Sequence, residues 1–94
     1  MKTKYQESIA ILQKRIDLFR KGVESCDMIN MLDSNVALVE TLRYSDKIHM
    51  SLSPKEKQIE EITFQRSKDL VDQYFHIKSD IGRTCRCQLL DHKV

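Results

Sequence analysis

Residues 5–26 read YQESIAILQKRIDLFRKGVESC, and the spacing of their apolar members decides the fold class. Tyr5, Ile9, Leu12, Ile16, Phe19, Val23 and Cys26 stand alternately four and three residues apart. A repeat of about 3.5 residues keeps one apolar seam turned toward a neighbouring helix over about three heptads. Ile11 and Leu18 widen the stripe on one side, as suits a helix that touches two neighbours. Asp17 and Lys21 form an i, i+4 pair in the favourable order. Gly22 weakens the helix by roughly 1 kcal/mol relative to alanine and marks fraying or an end near it.

Downstream of this segment, Met28, Ile29, Met31 and Leu32 alternate with Asp27, Asn30, Asp33, Ser34 and Asn35, which are poor helix-interior residues. The reading is a first helix over 3–31, a turn around Asp33 to Asn35, and a second helix over 35–51 through Val36, Leu38, Val39, Leu42 and Ile48. Asp33 or Ser34 would cap that second helix. Ser53-Pro54-Lys55-Glu56 is the strongest start signal in the chain. Serine bonds the first-turn amides, proline at the first helical position sacrifices no needed donor, and glutamate reaches back to complete a capping box. A third helix is predicted over 54–81, about 42 Å long, and Gly82 offers a left-handed terminator. Ile59, Ile62, Leu70, Tyr74, Ile77 and Ile81 form its main apolar stripe, while Phe64, Val71 and Phe75 form a second line.

Composition agrees with helix. Leu, Ile, Val and Phe supply 26 of the 94 residues, enough to collapse, and two glycines with one proline leave few sites for the turns of an all-β protein. Residues 1–82 carry 13 charges of each sign, so the net +2 lies wholly in the last twelve residues. A balanced body sets up no broad field to collect a polyanion, which argues against nucleic acid as a partner. The start lacks the apolar core of a secretory signal, and no apolar run approaches the roughly 18 residues that a membrane span needs. Three cysteines do not make a disulfide framework, so reduced thiols in the cytoplasm are expected.

No motif names a reaction. Cys85 and Cys87 flank Arg86, which can lower a thiol pKa, and a redox or metal-responsive switch is one reading of this tail. Structural zinc needs four ligands in pairs spaced by two to four residues, and that spacing is missing, so no metal site is assigned. His49, His76 and His92 are scattered and form no nucleophile-and-base set. Glu56, Glu60 and Glu61 complement the start of the third helix, which accounts for them without catalysis. Lys14, Arg15, Arg20 and Lys21 are interrupted by Glu7, Asp17 and Glu24, as on an ordinary solvated face. No stretch resembles a known family.

The expectation is therefore an all-α protein. Its architecture would be an antiparallel three-helix bundle with long first and third helices and a shorter second, completed by dimerisation into a larger bundle. Residues 1–82 would form the bundle and residues 83–94 a short basic C-terminal tail. Function would be non-catalytic, with no cofactor, no membrane and no small-molecule substrate. An adaptor, chaperone-like or regulatory subunit would bind another protein or a second copy of itself through Phe64, Arg66, Val71 and Phe75. The competing expectations are a nucleic-acid-associated regulator using the basic tail and a switch at Cys85, Arg86 and Cys87.

Overall fold

The structure, a computed structural model, describes the backbone of residues 2–84 and the side chains of residues 2–81. It is all-helical across these residues: α1 spans Lys4–Glu24, α2 Met28–Met50, α3 Pro54–Ile59 and α4 Glu61–Thr84. None of them is long and apolar enough to cross a membrane.

The seam read from the sequence is the core. Tyr5, Ile9, Leu12, Ile16, Phe19 and Val23 are all buried, with Cys26 packed partly against them. A capping box starts α1: Thr3 accepts from the Gln6 amide, and the Gln6 side chain accepts from the Thr3 amide.

The first turn of the chain falls at residues 25–27, not at 33–35. Cys26 adopts a left-handed φ of 53°. The Asp27 amide then reaches the Gly22 carbonyl at 3.0 Å and the Cys26 amide the Val23 carbonyl at 3.1 Å. This is the paired bonding that satisfies the last carbonyls of a helix, here with cysteine in the place glycine usually takes. The first helix accordingly stops at Glu24 instead of reaching residue 31. Asp27, not Asp33 or Ser34, caps α2 by accepting from the Asn30 amide. Asp33, Ser34 and Asn35 sit inside α2, with Asp33 exposed and Asn35 accepting a bond from Tyr74.

The segment predicted as one helix over 54–81 is two. Ser53 and Glu56 form the expected capping box, but the chain breaks at Glu60. Its buried carboxylate accepts from the Thr3 hydroxyl at 3.0 Å and from the Gln6 amide nitrogen at 3.3 Å. That bond draws the junction onto the start of α1 and changes the register of what precedes it. Ile59, in α3, is 70 % exposed; Ile62, inside α4 but out of phase with buried Leu70 and Tyr74, is 85 % exposed, so neither joins the core stripe expected of them. At the other end α4 runs through Gly82 to Thr84, so Gly82 does not end it.

α1 is the shared neighbour. α2 returns antiparallel to it, with Tyr5 beside His49 and Gly22 beside Met31. α4 runs parallel to α1, as the sequence of contacts from Gln6 with Glu60, through Gln13 with Arg66, to Arg20 with Gln73 requires. Between α1 and α2 the packing uses small residues. Ser8, Gly22, Thr41 and Ser45 are buried there, and the hydroxyls bond their own helix: Ser8 to Tyr5, Thr41 to Ala37 and Ser45 to Leu42. Self-satisfied hydroxyls can be buried without the cost of an unpaired polar group.

Candidate interaction face

α2 buries Met31, Leu38, Thr41 and Ser45 on its inner face, and a second set of large apolar side chains is turned out. Ile29, Leu32 and Val36 are 74 %, 61 % and 58 % exposed, and Met28 is half exposed. These positions, with half-buried Val39, follow a three- and four-residue spacing along one side of the helix. α2 thus carries apolar side chains on two faces, one buried with Met31 and Leu38 and one exposed.

Two cross-links fix how α2 and α4 run past each other. His49 stacks on Phe64 with ring centroids 4.2 Å apart and planes 10° from parallel. Farther along, the Tyr74 hydroxyl donates to the Asn35 side-chain oxygen. The two helices are thus antiparallel. Helical geometry places Val71 and Phe75 on the edge of α4 that faces α2, beside the stripe of Leu32, Val36 and Val39.

Three of the four residues singled out from the sequence therefore share this edge. Phe64 is half-buried between His49 and the ammonium of Lys68, which lies 4.8 Å from its ring centre. It braces the two helices at one end of the edge. Val71 is half-buried, and Phe75 is 57 % exposed against the Tyr74 ring, 5.5 Å away. Arg66 is elsewhere: its guanidinium donates to the Gln13 side-chain oxygen at 3.1 Å, on the side of α4 toward α1. Cys85, Arg86 and Cys87 lie outside the described residues.

The residues missed from the sequence are Met28, Ile29 and Leu32. A first helix over 3–31 followed by a turn separates them from Val36, which hides their common phase. The signal was present: Ile29, Leu32, Val36 and Val39 stand three, four and three residues apart, directly after a capping aspartate.

The opposite edge of α2 is held differently. Arg15 donates to the Ala37 carbonyl at 2.8 Å and to the Thr41 hydroxyl at 2.7 Å, tying α1 to α2 across it. At the end of the molecule near α3, a cleft of about 420 Å³ is lined by Thr3, Tyr5, Ile48, Leu52, Ile59 and Glu60 among others. The carboxylates at its wall are already engaged, Glu60 by Thr3 and Gln6 and Glu56 by Ser53. The Ser53 bonds hold the Glu56 carboxyl below its ordinary value. Burial raises the Tyr5 phenol above its ordinary value; a bond from Ser67 opposes this, and the charges of Asp46 and Glu60 add to it. Among the described residues no cluster of His, Cys, Asp or Glu could hold a metal ion.

Fold and surface together define a small helical protein with one outward-turned apolar helix. Comparison with protein-family models, curated proteins and solved structures gives no match to this chain.

Proposed function

We propose that this chain is a non-catalytic protein-interaction module of the cytoplasm, working as an adaptor, chaperone-like or regulatory subunit. Its contact surface is the edge shared by α2 and α4, with Ile29, Leu32, Val36 and Phe75 at its centre. In this reading the three long helices form an up-down-up bundle, α3 serves as the connector, and association closes the edge that the bundle leaves open. Val71 and Phe64 support the surface from the α4 side, and Arg66 braces α4 against α1 instead of touching the partner.

One observation carries the reading: beyond the inner face on which α2 buries Met31, Leu38, Thr41 and Ser45, it exposes a second apolar stripe of Ile29, Leu32 and Val36. Leaving those three side chains in water forgoes about 25 cal/mol per Å² of apolar surface. A covering partner would recover that free energy.

The test is affinity capture from the native host with the unaltered chain and with the pair Leu32→Glu and Phe75→Glu. Both sites are exposed, so circular dichroism should show unchanged helicity. The proteins recovered by the unaltered chain should be lost from the pair. Recovery of the same set by both would remove this surface from the account.

A further inference from the structure

We propose that a second copy of this chain covers the exposed stripe, with the two α2 helices packed antiparallel about a two-fold axis passing between Leu32 and Val36. The proposal rests on the interaction reading above and names the occupant.

Ile29, Leu32, Val36 and Val39 occupy alternating positions of a helix–helix seam. With the axis so placed, Ile29 meets Val39 of the second copy and Leu32 meets Val36. By symmetry the same pairs recur on the other side, giving an isologous contact in which every apolar layer faces an apolar layer. Continuing the same spacing along α2 brings up Arg43 and then Asp46.

Those two residues choose the orientation. A parallel pairing would set Arg43 against Arg43 and Asp46 against Asp46, and like charges held in register across an interface are costly. The antiparallel pairing carries Arg43 beyond the apolar seam, to the turn at residues 25–27 that precedes α2 of the second copy. Glu24, at the end of α1, and Asp27, the cap of α2, are exposed there, so Arg43 of one copy approaches acidic side chains of the other.

α4 contributes to the same contact. The bond from Tyr74 to Asn35 sets the neighbouring Phe75 at the height of the proposed axis. An antiparallel two-fold brings the second copy's Phe75 to the same side, where the two rings would extend the apolar contact beyond α2. The seam from Ile29 to Val39 is only about 15 Å long, so micromolar association is expected.

Sedimentation velocity on the full chain tests the idea. The unaltered chain should pass from monomer to dimer as its concentration rises from micromolar to millimolar. Leu32→Glu should weaken the dimer by at least about tenfold, equivalent to about 1.4 kcal/mol, with helicity retained. Arg43→Glu should also weaken it, and adding Glu24→Lys should restore it. For orientation, Leu32→Cys and Val36→Cys chains are mixed in a background of Cys26→Ser, Cys85→Ser and Cys87→Ser. The mixed disulfide should form in preference to either symmetric one.

Preferential symmetric disulfides would overturn the antiparallel arrangement, and a dimer indifferent to Leu32→Glu would overturn the surface. A chain that stays monomeric throughout, yet still loses its captured proteins in the Leu32→Glu and Phe75→Glu pair, would refute self-pairing while leaving the interaction reading in place. Monomeric behaviour with no such loss would end both.

Discussion

Gly22 has no side chain, and the start of α2 occupies the space one would fill. A Cβ there would stand 3.2 Å from the Met31 amide nitrogen and 3.5 Å from the Asn30 carbonyl carbon. Both are backbone atoms in the first turn of α2, whose start is held by the Asp27 cap, so they cannot swing aside as a flexible side chain would. Alanine in a helix interior gains roughly 1 kcal/mol over glycine, yet Gly22→Ala is expected to lower the urea midpoint, because α2 must shift away from α1. A rise in the midpoint would show that the turn yields.

Tyr5 makes a pH-dependent contribution whose sign follows from its burial. Its folded pKa lies above the ordinary 10.0. Below that value the phenol is neutral in both states and its contribution is intact. Above it the unfolded chain releases a proton that the folded chain retains, so stability falls as pH rises toward and through the folded value. Urea midpoints should therefore drop on the alkaline side of pH 10, and Tyr5→Phe should reduce that drop.

At the scale of elements, helical phase decides which residues of α4 are inside, and the break at Glu60 separates α3 from that phase. Ile62→Ala should change stability by no more than about 0.5 kcal/mol, as at an exposed site. Leu70→Ala, two turns farther along α4 and fully buried, should cost about 2–5 kcal/mol. Chemical denaturation of both variants checks the contrast, which a continuous helix with Ile62 in the core would not produce. Glu60→Ala leaves Thr3 and Gln6 without their acceptor and should cost about 1–3 kcal/mol. A double-mutant cycle with Thr3→Val should return a clear coupling between the two sites, since both belong to one bonded junction. The third-helix start was legible because a capping box acts within four residues. The break was not, because Glu60 answers to side chains 54 and 57 positions earlier.

Across the whole molecule, α1 is packed on two sides and α2 on only part of its circumference. The inner face of α2 buries Met31, Leu38, Thr41 and Ser45, and Ile29, Leu32 and Val36 are left outside. Ile29→Ser should accordingly alter the stability of the isolated monomer by no more than about 0.5 kcal/mol, although Ile29 is as apolar as any core residue. Denaturation at concentrations low enough to exclude association checks this. If that substitution destabilised the monomer as strongly as Leu70→Ala, the stripe would belong to the core and the proposed contact face would disappear.

Local periodicity was sufficient to determine that this chain is helical and that Tyr5 through Val23 form its main seam, since those features depend on neighbours within a turn or two. Tertiary structure decided where the helices end and which faces are left uncovered. The left-handed turn at Cys26 and the buried carboxylate of Glu60 exist because distant segments meet there. The outward stripe of α2 is left uncovered because the core takes only the face that carries Met31, Leu38, Thr41 and Ser45.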